Sequence, residues 1–151
     1  MNLRAFLLRH GAQFQFLDKR ATHHAVEASQ ASGIPLQEIV KTIVFLNQNL
    51  KPLIAVIRAD RSISRHKLQR CSDSKSVRLA PHYIAEAVTG YRIGGIPPVG
   101  HKRKVPVFLD KEVLSHEYVW CGGGARSRLV RLKTEDIVRL SSPKVCDLSA
   151  G

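Results

Sequence analysis

The sequence predicts an α/β (α+β) fold: a mixed, largely antiparallel sheet of six or seven strands, partly barrel-like, with helices packed around it. Short segments of strand composition alternate along the chain with amphipathic segments at helical spacing. Glycine or proline stands at most boundaries between these segments. At 151 residues the chain is most simply one domain, residues 1–151, with a single core.

Composition and capping residues set the bounds of the predicted elements. Thr22, Ser64 and Thr134 are expected to cap helix N-termini, and Gly33 and Gly90 to end helices. Residues 141–151 are predicted to be a loosely held tail. The predicted helices span 3–10, 23–31, 65–70, 81–88 and 135–140, and the predicted strands span 14–17, 39–46, 52–57, 77–79, 105–110, 117–121 and 128–132.

The strand predicted at 39–46 carries apolar residues on both faces, which is typical of a buried central strand. Lys41 interrupts it. A lysine in such a strand must either extend its ammonium to the sheet edge or lie in a cavity with an anionic partner. The residue pattern leaves both alternatives open.

Positive charge is the strongest signal in the composition. Lysine and arginine total 24 against 12 aspartate and glutamate residues, a formal net charge of +12. Such a surface favours a nucleic-acid or phosphate partner over a solvated basic face without a function. The basic residues are dispersed, with clusters at 58–70, 101–104 and 126–133, so we expect a folded basic patch.

The three cysteines, Cys71, Cys121 and Cys146, stand far apart and include no C-x-x-C pair. We therefore expect neither a disulfide framework nor a zinc site, and interpret each as a buried or incidental thiol in a reducing cytoplasm. No apolar run approaches the roughly 20 residues that cross a bilayer, so we expect no membrane partner. The N-terminus carries no signal-peptide pattern.

A glycine- and proline-rich stretch at 90–100 is incompatible with helix or regular strand. Gly94 and Gly95 permit positive φ or a close backbone approach, while Pro97 and Pro98 fix φ and lack N–H groups. Such a loop is either a plain connection or a rigid wall with exposed amides. The familiar enzyme motifs, among them Walker A, H-E-x-x-H and G-x-S-x-G, are absent from the sequence.

Several segments match a known family in order and spacing: residues 40–45, 89–100, 105–110, 122–124 and 134–137. Together they resemble the YbaK/ProX family of free-standing aminoacyl-tRNA deacylases, which is similar to the editing insertion domain of bacterial prolyl-tRNA synthetases. The likeness runs from about Val26 to Leu140. It implies the YbaK fold, a misacylated tRNA as partner through its 3′ acceptor end, and no cofactor or metal. An aminoacyl-tRNA synthetase stays open as a second partner.

The resemblance implies trans-editing, the hydrolysis of the ester that joins a wrongly attached small amino acid, alanine or cysteine on the tRNA for proline, to the terminal adenosine. The alternative is a tRNA-binding module of the same fold without hydrolysis. The ribose hydroxyl of the substrate is implied as proton acceptor. The residues assigned to the chemistry are Lys41, Gly94, Gly95 and Pro98, and those assigned to substrate contact are Ile96, Pro97, Gly100, His101, Gly123 and Gly124.

Within that resemblance Lys41 is implied to hold a phosphate at the tRNA end. Gly94 and Pro98 are the ends of a G-x-x-x-P motif whose backbone orients the attacking water and the scissile carbonyl. His23 and His24 receive no role. His101 either contacts substrate or is solvated, and the sequence does not identify the oligomeric state or the amino acid accepted.

Overall fold

The computed structural model describes residues 1–151 and confirms the mixed α/β fold, with five helices and eight strands in two sheets. The helices are α1 (Leu3–Arg9), α2 (Ala25–Ser32), α3 (Arg65–Ser72), α4 (His82–Thr89) and α5 (Thr134–Ser141), with 3-10 turns at Leu36–Glu38 and Lys111–Ser115. The strands are β1 (Phe14–Asp18), β2 (Val40–Asn47), β3 (Pro52–Arg58), β4 (Val77–Leu79), β5 (Val107–Asp110), β6 (Tyr118–Gly122), β7 (Arg128–Lys133) and β8 (Lys144–Cys146).

The larger sheet has the order β4-β2-β3-β5-β8. Strands β2 and β3 form an antiparallel hairpin, whose turn is closed by the Asn47 Oδ1 atom accepting from the amides of Asn49 and Lys51. Strand β5 runs parallel to both β3 and β8, while the remaining pairs are antiparallel. The sheet is therefore mixed, as predicted, but the fold has eight strands in two sheets where the sequence indicated one sheet of six or seven.

The smaller sheet has the order β1-β7-β6 and is antiparallel throughout. A single bridge between Ile39 and Trp120 joins it to the start of β2. This bridge brings the turn after β6 close to the Lys41 end of β2. The site described below lies at this junction.

Strand β3 is buried on both faces, so it separates two apolar clusters. Ile54 and Val56 point into the larger cluster with α1, α4 and the smaller sheet, whereas the alternate residues Leu53, Ala55 and Ile57 point into a second cluster with α3. This alternation follows from the period of two in a strand. The strand predicted at 39–46 to be buried and central is β2, which lies between β4 and β3 in the interior of this sheet.

Two of the three predicted N-caps are wrong. Ser64 caps α3 as expected, since its hydroxyl accepts from the Lys67 amide. Thr22 lies before α2 and its hydroxyl accepts from Lys19 instead, while Thr134 is already inside α5 and donates to the carbonyl of His116. Both hydroxyls satisfy tertiary contacts that local sequence does not encode. Gly33 and Gly90 end their helices with positive φ, as predicted.

The prediction of a loosely held tail at 141–151 is wrong. Strand β8 pairs with β5, and Leu148 is completely buried in the cluster beneath α3. The buried Asp110 carboxylate accepts from the Leu148 amide at 2.7 Å, and the Leu148 carbonyl accepts from the Ser64 amide. The apolar signal in this segment is too short to predict a strand, because its burial depends on a parallel partner distant in sequence.

The cysteine prediction is wrong for two of the three residues. Cys71 at the end of α3 and Cys146 in β8 form a disulfide, with Cα atoms 6.4 Å apart. The pairing spans 75 residues and is invisible without the β5–β8 register. Cys121 is a buried free thiol, as expected, and burial raises its pKa far above the usual range. No helix exceeds eight residues, so none is long enough to cross a membrane.

We predict that Leu148→Ala lowers the free energy of unfolding by about 2–5 kcal/mol, because it empties a fully buried position. The matched control is Val145→Ala in the same segment, whose side chain is 43% exposed and whose loss should cost about 0.5 kcal/mol or less. Urea unfolding of both variants measures the difference. Equal, small effects would show that the C-terminal segment does not pack as described.

Candidate active site

A cavity of about 570 Å³ lies where β2, α4, the chain before α2 and the loop at 93–96 meet. Twelve of its twenty lining residues are apolar, and no aspartate, glutamate or cysteine is among them. Lys41 is the only lysine or arginine in the lining. The cavity therefore combines apolar walls with a single strong cation, which suits a largely uncharged ligand that carries one anionic group.

Lys41 lies in β2, opposite Ile57 of β3, and is one of the residues that line this cavity. The side chain is half-buried, and this loss of water lowers the pKa of its ammonium, an effect that the charge of Asp60 opposes. The ammonium forms no ion pair within the protein. The sequence left two alternatives for Lys41, extension to the sheet edge or a place in a cavity with an anionic partner. The structure places Lys41 in the lining of a cavity, but no anionic group of the protein is bonded to it.

Asp60 is kept from Lys41 by Arg58. The guanidinium donates to both carboxylate oxygens of Asp60, at 3.0 and 2.7 Å, and this pairing lowers the pKa of Asp60. Arg58 also contacts Glu112 at 3.4 Å. Because Asp60, the carboxylate whose charge acts on Lys41, is already bonded to an arginine, the Lys41 ammonium is available to an external anion.

The loop at 90–100 contains no helix or strand, as predicted. Gly94 has φ of +91°, and a Cβ there would lie 2.8 Å from the Thr22 carbonyl oxygen, so this position requires glycine on both counts. Gly94 and Ile96 line the cavity, whereas Gly95, Pro97 and Pro98 are buried behind its wall. The prolines therefore stiffen the loop from its buried side.

A second glycine-rich turn, residues 122–125, supports this loop by direct backbone packing. The Gly124 amide donates to the Gly95 carbonyl at 2.8 Å. A Cβ on Gly95 would lie within 2.6–2.8 Å of the Ala125 backbone, and a Cβ on Gly122 would overlap the Ile96 carbonyl. The two turns thus approach more closely than any side chain would permit.

Arg126 connects the same loop to the chain before α2. Its Nε atom donates to the Ile93 carbonyl at 3.2 Å, and its Nη1 lies 3.4 Å from Nε2 of His23. Its carbonyl accepts from the Thr22 amide and from the Lys19 ammonium, at 3.1 and 2.6 Å. Three segments distant in sequence are thereby held together at the cavity rim.

The structure gathers only part of the site that the sequence predicts. Lys41, Gly94 and Ile96 line the cavity together, and Gly95, Pro97 and Pro98 lie directly behind them. Gly100 packs against the Phe6 ring on the side where a Cβ atom would stand. Gly123 and Gly124 do not line this cavity, and Gly122 does.

His101 lies outside the cavity lining and is largely buried. Its Nε2 atom is 2.7 Å from the Pro97 carbonyl oxygen, and burial lowers the pKa of the imidazole. The ring therefore braces the loop from behind. In this structure it is neither free in solvent nor beside Lys41.

Sequence reasoning missed three imidazoles of the cavity lining, His23, His24 and His82, and the hydroxyls of Thr22 and Thr42. The sequence shows His23 and His24 as adjacent histidines but gives them no role, and the contact of His23 with Arg126 joins residues 103 positions apart. His82 lies at the start of the helix predicted at 81–88, but no local pattern indicates that this helix packs against the cavity. No group of three histidine, cysteine or acidic residues in the protein is arranged to hold a metal ion.

The lining supports one kind of chemistry better than others. It offers an unpaired cation, neutral hydrogen-bonding side chains and the backbone of a rigid loop, and it contains neither a carboxylate nor a thiol to act as nucleophile. A reaction here that forms no covalent intermediate with the protein draws its nucleophile from water or from the ligand. Preorganised backbone groups and Lys41 can then stabilise the negative charge that develops.

We predict that Gly95→Ala breaks the contact between the two glycine-rich turns. The new Cβ overlaps the Ala125 backbone, so the Gly124 amide should lose its protection from hydrogen exchange, with a loss of about 1–3 kcal/mol in stability. Gly11→Ala is the control, because its Cβ meets open space and its cost of about 1–2 kcal/mol comes from positive φ alone. Normal Gly124 protection in Gly95→Ala would contradict this packing.

Comparison with known proteins agrees with this architecture. A candidate Cys-tRNA(Pro)/Cys-tRNA(Cys) deacylase, EbsC of Enterococcus faecalis, is 28% identical over 125 residues, which cover 83% of this chain and 76% of EbsC. A proline–tRNA ligase of Nitratidesulfovibrio vulgaris is 34% identical over 91 residues, 60% of this chain but only 16% of the ligase.

A solved structure described as a candidate trans-editing enzyme for prolyl-tRNA synthetase superposes with a TM-score of 0.87 at 29% identity, covering 99% of this chain and 95% of that one. Another, hypothetical protein APE2540, gives a TM-score of 0.89 at 26% identity, covering 98% and 99%. Residues 19–140 match the aminoacyl-tRNA editing domain, and this match includes Lys41 and the whole cavity lining. The chain therefore belongs to the aminoacyl-tRNA editing domain family.

Proposed function

We propose that this protein is a trans-editing aminoacyl-tRNA hydrolase, which cleaves the ester between a misattached amino acid and the terminal adenosine of a tRNA. The observation that carries the proposal is that the unpaired Lys41 and the Gly94 backbone line one largely apolar cavity. Membership of the editing family supports the reaction class. The net charge of +12 supports a polyanionic substrate.

Lys41 is proposed to hold a phosphate of the terminal nucleotide. A lysine ammonium is a compact charge suited to one phosphate, and partial burial strengthens the attraction because little water screens it. Arg58 supports this role by neutralising Asp60, which would otherwise compete with the phosphate. The phosphate contact would fix the position of the ester in the cavity.

The loop from Gly94 to Pro98 is proposed to orient the scissile carbonyl and the attacking water through its backbone. Pro97 and Pro98 are buried and His101 braces the Pro97 carbonyl, so the loop is preorganised before substrate arrives. We assign the 2′- or 3′-hydroxyl of the ribose as proton acceptor, since the lining carries no carboxylate and none of its three imidazoles is paired with one. An ester is activated relative to an amide, so this modest machinery suffices.

The proposed substrate is a small amino acid, alanine or cysteine, on the tRNA for proline. The cavity holds no carboxylate that would pair with a cationic side chain, which favours a small neutral one. EbsC and the proline–tRNA ligases support the tRNA identity by their names. We propose the cytoplasm as compartment, where aminoacyl-tRNA is made, and a synthetase as the source of the mischarged substrate.

We predict that the wild-type protein deacylates at least one tRNA of a panel charged with alanine, cysteine, serine or proline. Lys41→Ala should lower kcat/KM by about 100-fold or more, because it removes the only strong cation of the cavity. Lys51→Ala is the matched control, an exposed lysine in the β2–β3 turn, and should keep full activity.

Two outcomes would contradict the proposal in different ways. If the wild type binds tRNA but hydrolyses none of the panel, the protein is a binding module of this fold, which is the alternative function. If Lys41→Ala hydrolyses as well as Lys51→Ala, the reaction stands and the role of Lys41 is wrong.

Binding should also weaken at alkaline pH. Burial lowers the pKa of Lys41, so its ammonium is lost at a pH below that at which an ordinary lysine titrates. Phosphate binding needs the charged form, and affinity should therefore fall as pH rises through that lowered value. Binding of a non-hydrolysable amide analogue of aminoacyl-adenosine monophosphate measures this fall, and its absence in Lys41→Arg, which stays charged, is the control.

A further inference from the structure

A second cavity, of about 340 Å³, lies on the other side of the glycine-rich turn that supports the active-site loop. Its lining includes Arg4 of α1, Phe16 of β1, Tyr91, Gly124 and Arg128. Two guanidinium groups in so small a space give it a strongly positive character. Neither arginine takes part in the cavity around Lys41.

The two guanidinium groups are held by one aromatic ring. The Cζ atoms of Arg4 and Arg128 lie 4.7 and 4.8 Å from the centroid of Phe16. Stacking on a ring restricts the rotamers of an arginine, so these donors are ordered before any ligand arrives. Ordered guanidinium groups are well suited to bind a phosphate through two parallel hydrogen bonds.

Protein carboxylates leave most of this charge unpaired. Arg4 forms no ion pair, and Arg128 pairs only with Asp18, at 2.8 Å, whose side chain is 75% exposed. Such an exposed pair contributes about 1 kcal/mol or less, so a phosphate can replace or join it.

Tyr91 adds an independent observation. It lines the same cavity and is only 5% exposed, and its hydroxyl has no hydrogen-bond partner in the protein. Buried hydroxyls are nearly always bonded, so an unbonded hydroxyl on a residue that lines a cavity is an unusual feature of this protein.

The glycine-rich turn connects this cavity to the active site. Gly122 lines the first cavity and Gly124 the second, and two residues of extended chain span roughly 7 Å. The Gly124 amide is bonded to the Gly95 carbonyl of the active-site loop. A chain of nucleotides whose last residue occupies the first cavity would therefore have its preceding phosphates near the second.

We propose that this second cavity binds a backbone phosphate of the single-stranded RNA that precedes the terminal adenosine. Arg4 and Arg128 are the phosphate ligands. The inference rests on the proposed function, because it assigns the upstream part of the same substrate. It makes the protein depend on more of the RNA than the aminoacyl-adenosine alone.

The test compares two substrates in the double variant Arg4→Gln/Arg128→Gln. One is the aminoacyl-tRNA and the other is aminoacyl-adenosine, which has no upstream phosphate. We expect the ratio of their kcat/KM values to fall about 10-fold or more, through KM of the tRNA. The control Arg65→Gln/Arg70→Gln removes the same charge from exposed, unpaired positions of α3 outside both cavities and should leave the ratio within about 2-fold.

If the ratio falls equally in both double variants, the effect comes from the loss of positive charge in general and the site is wrong. An unchanged ratio in Arg4→Gln/Arg128→Gln would also refute the site. If the wild type hydrolyses neither substrate, the proposed function fails and the cavity is tested by binding. An uncharged RNA tetranucleotide ending in CCA should then bind the wild type at least 5-fold more tightly than the Arg4/Arg128 variant. Equal binding of the tetranucleotide to the two proteins, or a loss confined to inorganic phosphate, would overturn the proposal.

Discussion

The site depends on one contact, the backbone packing between the loop at Gly95 and the turn at 122–125. Neither side has room for a Cβ atom, and the Gly124 amide closes the contact onto the Gly95 carbonyl. This contact fixes the smaller sheet, through β6 and β7, against the loop that faces Lys41 in the larger sheet. With only one strand bridge between the sheets, the glycine contact sets the width of the cavity.

A site built from backbone places unusual demands on the side chains around it. Backbone groups neither titrate nor change rotamer, so the geometry of the loop depends on the residues that hold it. These are the buried Pro97 and Pro98, and the imidazole of His101, which contacts the Pro97 carbonyl. Arg126 performs the same task at the rim by holding Ile93. None of these residues lines the cavity, yet each one restricts the conformation of the loop that does.

The sequence supports prediction where the physics is local. The β2–β3 hairpin follows from two apolar runs and an asparagine turn, and the glycines at 33 and 90 end helices because glycine adopts the required positive φ without strain. Lys41 stands out because a charge interrupts a buried strand. Each of these signals lies within a window of a few residues.

The remainder could not be predicted because it depends on pairing between distant segments. Cys146 is positioned by the parallel pairing of β8 with β5, and Leu148 by hydrogen bonds to Asp110 and Ser64. His23 at the cavity rim contacts Arg126, about one hundred positions away. Thr22 and Thr134 are chemically suitable caps whose hydroxyls find better partners in tertiary structure. The second cavity could not be predicted for the same reason, because α1, β1 and β7, which are distant in sequence, meet there and no sequence motif joins them.

The placement of the acids explains how so basic a chain keeps a focused positive site. Asp60 and Glu112 are paired with Arg58 and Arg61, and Asp110 accepts two backbone amides. Glu86, the carboxylate bonded to the active-site loop, accepts from the Ile93 amide and so holds the loop in place. With these acids committed to structural contacts, none lines the cavity around Lys41. The positive field there is therefore a product of where the carboxylates are bonded, as much as of the number of lysines and arginines.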